Sequence, residues 1–120
     1  MKSAGGGWQV RLTSAADTDI ANILGWTLAE FGGGQMRRYS KLLRSAVAVL
    51  ADGPDVSGVR KREEIGPGLR TLHVTPGSRK GRHFLLFRVT ATEAGRVIDV
   101  LRVLHDAMDL PRHWPYENKS

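Results

Sequence analysis

Apolar and polar residues alternate at the start of the chain, where Trp8, Val10 and Leu12 are separated by Gln9 and Arg11. A repeat of two residues is that of a half-buried strand, because successive side chains of extended backbone point to opposite faces. The period then changes. Ala16, Ile20, Ile23, Leu24, Thr27 and Phe31 recur at helical spacing, which predicts a helix with one apolar stripe. Ser14 followed by Asp17 is a capping-box pattern, and Asp17 and Asp19 set negative charge at the positive end of the helix dipole. Gly32, Gly33 and Gly34 end this helix. The helical period returns with Met36, Tyr39, Leu43, Ala46, Val47 and Leu50 until Asp52, Gly53 and Pro54 stop it. Two helices joined by three glycines predict an antiparallel hairpin.

After Pro54 the pattern shifts to short apolar runs separated by turn residues at 66–68, 76–81 and 92–95. Such punctuation is that of a meander, with strands over about 59–63, 69–74, 83–90 and 96–104. Val97, Ile98, Val100 and Val103 read as a buried strand that leaves the sheet over Leu104 to Asp109 as a short helical turn. The predicted class is α+β: an N-terminal strand, then an antiparallel two-helix hairpin packed on a 3–4 stranded antiparallel sheet, then the C-terminal helical turn. One domain over 8–115 is expected, with tails at 1–7 and 116–120.

Composition narrows the class. A chain of 120 residues suits a single domain, and 18 Lys and Arg against 12 Asp and Glu give a net charge of +6, which favours anionic partners. Between Ser57 and His83 stand Arg60, Lys61, Arg62, Arg70, Arg79, Lys80 and Arg82 against Glu63 and Glu64, a net of +5. That segment is the electrostatic footprint for DNA, RNA or an acidic polypeptide. Arg37, Lys41 and Arg44 form a second cationic row on the outward face of the second helix, a pattern shared with ordinary solvated faces. Without cysteine there is neither disulfide nor thiolate metal site, and the four histidines lack metal-ligand spacing, so no metal and no cofactor is expected. No apolar run reaches the length of a bilayer span and the first residues do not form a signal peptide, so a cytoplasmic protein with no membrane contact is expected.

Five segments in order resemble the RelE/ParE toxin superfamily, specifically its ParE branch. They are the opening "VRLTSAADTDIANI", the interhelix "FGGGQMRRY", the Leu-Arg strand "LRTLHV", then "RHFLLFRV", and a last strand running into Leu104, His105 and Asp109. The resemblance covers roughly residues 8 to 115. It implies the toxin of a type II toxin-antitoxin module, neutralised by a ParD-like antitoxin. ParE-type members act on DNA gyrase without an established catalytic residue of their own. RelE-type members instead cleave messenger RNA on the ribosome, which requires cations on the phosphate and a side chain to move protons. A non-toxic basic accessory domain is the third possibility.

The residues lean towards the first. Arg70 matches the arginine that RelE-like nucleases place near the phosphate, but Phe84 and Phe87 stand where those enzymes often show Arg and then Tyr. Phenylalanine neither binds phosphate nor carries a proton. A nuclease would have to use Arg70 and Arg88 on phosphate with His83 or His105 as proton carrier, and neither histidine has an evident partner by spacing. His73 alternates with Leu72 and Val74. Candidates for target binding are Arg70, Arg79, Lys80, Arg82, Arg112, His113 and Trp114, the last bracketed by Pro111 and Pro115, a setting that favours packing back on the sheet as a lid over an exposed anchor. Candidates for antitoxin binding are Arg37, Lys41, Arg44, Arg60 and Arg62.

Overall fold

A computed structural model describes residues 7–74, 83–92 and 95–105. The elements run β1 (Gln9–Leu12), α1 (Ser14–Phe31), α2 (Gly33–Val49), a 3-10 turn (Leu50–Asp52), β2 (Arg60–Lys61), β3 (Leu69–His73), β4 (His83–Thr92) and β5 (Gly95–His105). This is the expected α+β arrangement of a strand, a helical hairpin and a meander. The sheet differs from the expectation in one respect. It has five strands in the order β1-β5-β4-β3-β2, and β1 lies parallel to β5 while the other pairs are antiparallel. The alternation in β1 announces a half-buried strand but carries no record of its partner. The connection between this parallel pair is long, running through the helical hairpin and then β2, β3 and β4.

Thr13, not Ser14, caps α1. Its backbone is extended (φ −72°, ψ 164°), and its hydroxyl oxygen accepts the Ala16 N–H at 3.1 Å. The same residue ties the helix to the sheet, since its N–H donates to the Val100 carbonyl at 3.1 Å and its hydroxyl to the Leu101 carbonyl at 2.8 Å. The hairpin turn is also shorter than three glycines suggest. Gly32 alone connects the helices at φ +90°, a conformation that a side chain resists, and Gly33 already belongs to α2. The Gly32 N–H closes α1 on the Leu28 carbonyl at 2.9 Å, and the Gly32 carbonyl accepts from Met36 at 3.1 Å to open α2.

The strands predicted at 69–74, 83–90 and 96–104 appear within a few residues of those bounds, whereas the one at 59–63 shrinks to Arg60–Lys61. The chain turns there as Ile65 N–H closes on the Arg62 carbonyl at 2.9 Å. At the other end, Leu104 and His105 remain in β5 instead of beginning a helical turn. The remainder of that expected turn, through Asp109, and nearly all of both expected tails lie outside the described residues.

Side chains on both faces of the sheet are buried. Ala16, Leu43, Ala46 and Leu50 from the helical half pack against Leu72, Leu85, Phe87, Ile98, Val100 and Val103. A second cluster of Ile65, Leu69, Phe84, Leu86, Leu101 and Leu104 occupies the opposite face. An irregularity in the β4–β5 register, where Leu86 pairs with Arg102 but Phe87 with Val100, makes Leu101 an extra residue. This bulge shifts the alternation of β5, so Val100 and Val103 both reach the helix side and Leu101 and Leu104 the other. Phe31 departs from the predicted stripe at 62% exposure.

Candidate functional site

Strand register and loops decide which basic and titratable groups meet. Arg70 pairs across the sheet with Phe87, whose side chain belongs to the helix-side core. Its guanidinium is engaged by the segment after α2, donating to the Pro54 carbonyl at 2.9 Å and to the Asp55 carboxylate. Arg88, the next residue along β4 from Phe87, is opposite Asp99 and projects to the other face. Asp99 accepts two bonds from Arg11, at 2.8 and 3.1 Å, and one from the Thr90 hydroxyl at 2.6 Å. The Arg11 guanidinium, helped by Thr90 and by the nearby charge of Arg88, holds the Asp99 carboxyl below its usual range against the opposing effect of burial. The two arginines of the nuclease alternative are therefore on opposite faces and do not converge.

The histidines do meet a partner, which spacing did not reveal. His83 and His105 are directly opposite across β4 and β5, their rings edge to face with centroids 5.1 Å apart. Tyr39 from α2 reaches the same point, its hydroxyl 2.8 Å from His83 Nδ1. In the sequence Tyr39 is visible only as a member of the apolar stripe, because the contact arises from how the hairpin lies on the sheet. His83 sits four residues along β4 from the partner of Arg70, about 13 Å of backbone at strand rise, and the Arg70 guanidinium is engaged by Pro54 and Asp55. His73 belongs to the opposite face, its ring 5.6 Å from that of Phe84. Phe84 and Phe87 are 3% and 0% exposed, built into different clusters and inaccessible to substrate.

The basic surfaces differ in how far they are neutralised. On the sheet side Arg62 is bonded to Glu64 at 2.6 Å, which lowers the Glu64 carboxyl; the charge of Arg60 acts on the same carboxylate more weakly and without a direct bond among the described residues. On α2, Arg37, Lys41 and Arg44 line an open depression with Arg38, Ser40, Met36 and Gly34. Nothing from Gly33 to Val49 is acidic, so this helix carries four cations and no compensating charge. Arg79, Lys80, Arg82, Arg112, His113 and Trp114 lie outside the described residues. Among the described residues no group of three or more His, Asp or Glu is placed to hold a metal, and no helix is long and apolar enough to cross a membrane.

Similar proteins share this architecture. A family model described as "ParE toxin of type II toxin-antitoxin system, parDE" matches residues 10–110. Toxin ParE1 of Mycobacterium tuberculosis is 34% identical over 102 residues, which is 85% of this chain and 93% of that protein. Toxin ParE of Escherichia coli is 31% identical over 99 residues, covering 82% and 85% of the two chains. A solved structure titled "Chromosomal ParDE TA system from P. aeruginosa" superposes with a TM-score of 0.64 at 20% identity, over 82% of this chain and 96% of that one, a likeness of fold. The order of elements, the helical hairpin on the sheet and the match over most of the length agree, and the chain belongs to the ParE toxin family of type II toxin-antitoxin systems.

Proposed function

We propose that this toxin acts in the cytoplasm by binding DNA gyrase and stabilising its cleaved-DNA state, with no bond chemistry of its own. The observation that carries this reading is the separation of the groups a nuclease would need. Arg70 is tied to Asp55, Arg88 faces the other side of the sheet, and the His83–His105 pair stands four residues along β4 from Phe87, the cross-strand partner of Arg70. The positions of Phe84 and Phe87 supply only packing. Differential affinity for one state of a target shifts that target's equilibrium without covalent catalysis. In cells, induced expression is expected to leave plasmid DNA linearised and relaxed while protein synthesis continues. Immediate arrest of synthesis with intact supercoiling would reverse the assignment.

The partner that neutralises the toxin is a ParD-like antitoxin, a reading supported by family membership and by the ParDE title of the similar structure. An acidic segment that folds on binding would find its strongest electrostatic contact on α2, where Arg37, Lys41 and Arg44 have no carboxylate partner among the described residues, with Arg60 as a further contact and Arg62 contributing less because Glu64 holds it. A titration of antitoxin peptide at rising salt checks this, with affinity expected to fall steadily.

Ribosome-dependent cleavage of messenger RNA is the competing reading, and one observation favours it: the Tyr39 hydroxyl is hydrogen-bonded to His83, whose ring meets that of His105. Exchange of Tyr39 and His83 for Phe and Gln distinguishes the two, since only a nuclease would lose activity.

A further inference from the structure

The tip of the helical hairpin exposes an aromatic pair. Trp26 and Phe31 are 58% and 62% exposed, and their rings meet edge to face with centroids 5.6 Å apart. One residue later the chain turns at Gly32 and enters the cationic helix. Arg37 folds back onto the start of that helix, its Nη1 only 3.3 Å from where a Cβ on Gly33 would stand. The guanidinium therefore lies within roughly 12 Å of the Phe31 backbone, given the span of two residues. Lys41 and Arg44 follow at four and seven residues, about 6 and 10 Å further along the helix axis, on the same outward side. Among the described residues no carboxylate pairs with Arg37, Lys41 or Arg44.

A row of uncompensated cations suits any polyanion, but the aromatic pair narrows the class. Exposed rings next to a cationic track are the means by which proteins hold unpaired bases, each base stacking on a ring while its phosphates meet the charges. In a duplex the base faces are already stacked, so Trp26 and Phe31 would contribute nothing. An acidic peptide offers carboxylates but no π face. We propose that the hairpin tip and the crest of α2 bind single-stranded DNA, with bases stacked on Trp26 and Phe31 and phosphates held by Arg37, Lys41 and Arg44. The choice of DNA over RNA rests on the gyrase reading, which places the toxin beside opened DNA; the stacking and charge contacts are independent of it. Antitoxin seated on α2 would cover the same crest and compete.

The test uses the full chain without gyrase, so its failure is separable from failure of the gyrase reading. Anisotropy of a labelled oligothymidylate of about 12 nucleotides is measured against the matching duplex, oligouridylate and polyglutamate. Expected are preference for the single DNA strand over the duplex and polyglutamate, oligouridylate binding no more tightly, and a log–log salt dependence near −2, the value for about three phosphates on a single strand. Trp26→Ala is expected to weaken single-strand binding about tenfold and to leave duplex binding unchanged. Phe31→Ala provides the second variant, and the thermal midpoint confirms that each is folded. Combining K41Q with R44Q is expected to reduce the salt slope by about 1.4. Absence of binding, equal affinity for duplex or polyglutamate, tighter binding of oligouridylate, or indifference to loss of both rings would overturn the proposal.

Discussion

Arg102 of β5 grips Asp19 of α1 with two bonds of 2.8 Å each, and the same carboxylate accepts the Val103 N–H at 2.8 Å. β1 pairs with β5 only from Val97 to Val100, so beyond that point the edge of β5 needs another partner. Thr13 supplies it at the Leu101 carbonyl and Asp19 at the Val103 N–H. The first turns of α1 thus continue the work of β1 by side-chain bonding. Removing Asp19 leaves a covered N–H and a guanidinium without these bonds.

Asp19→Ala is therefore expected to destabilise the fold by about 2–4 kcal/mol, and Arg102→Ala by less, because the carboxylate then keeps its backbone bond. Urea denaturation of the two variants checks both the size and the order.

Thr13 performs two tasks with one hydroxyl, capping α1 and bonding β5. Thr13→Ser should preserve both, whereas Thr13→Ala should cost about 1–2 kcal/mol and accelerate amide exchange at Ala16. Equal exchange in the two variants would show that the cap contributes nothing.

Asp99 gives the stability a defined acid dependence. Its carboxyl is held low in the native protein by Arg11, so the unfolded chain takes up its proton first as pH falls. The contribution is complete above the unfolded carboxylate range near pH 4 and is lost as pH drops through the lower native value. Asp99→Asn is expected to be less stable at neutral pH and to show a flatter fall in thermal midpoint between about pH 5 and 2. An unchanged slope would remove Asp99 as the cause.

Much of the architecture was legible from periodicity, because two helices with one apolar stripe and a sheet with β-branched centre leave few ways to bury both. What escaped were facts that depend on tertiary pairing. The parallel β1–β5 contact, the Thr13 cap in place of Ser14 and the one-residue Gly32 turn follow from how elements meet, not from local pattern. The candidate site divided in the same way. That Phe84 and Phe87 contribute only packing could be read from residue type alone. The Tyr39–His83–His105 group could not, since a register between strands and a helix from another part of the chain brings it together. That a lone sheet arginine such as Arg70 pairs with a carboxylate is a general expectation, but its partner Asp55, 15 residues away, could not be read.

If gyrase is the target, the bond between the Tyr39 hydroxyl and His83 holds α2 against β4 and has no chemical task. Tyr39→Phe is then expected to lower stability by about 0.5–1.5 kcal/mol and to leave toxicity on induced expression unchanged. A folded Tyr39→Phe protein without toxicity would assign the group a chemical role.

Binding to gyrase without intrinsic bond chemistry is tested most directly with purified components. Toxin is titrated into gyrase and supercoiled plasmid, the products are denatured, and the same toxin preparation is added to a translating extract. Cleaved, gyrase-linked plasmid is expected to accumulate with toxin dose while messenger RNA stays intact. Uncleaved plasmid together with fragmented messenger RNA would contradict gyrase binding without bond chemistry.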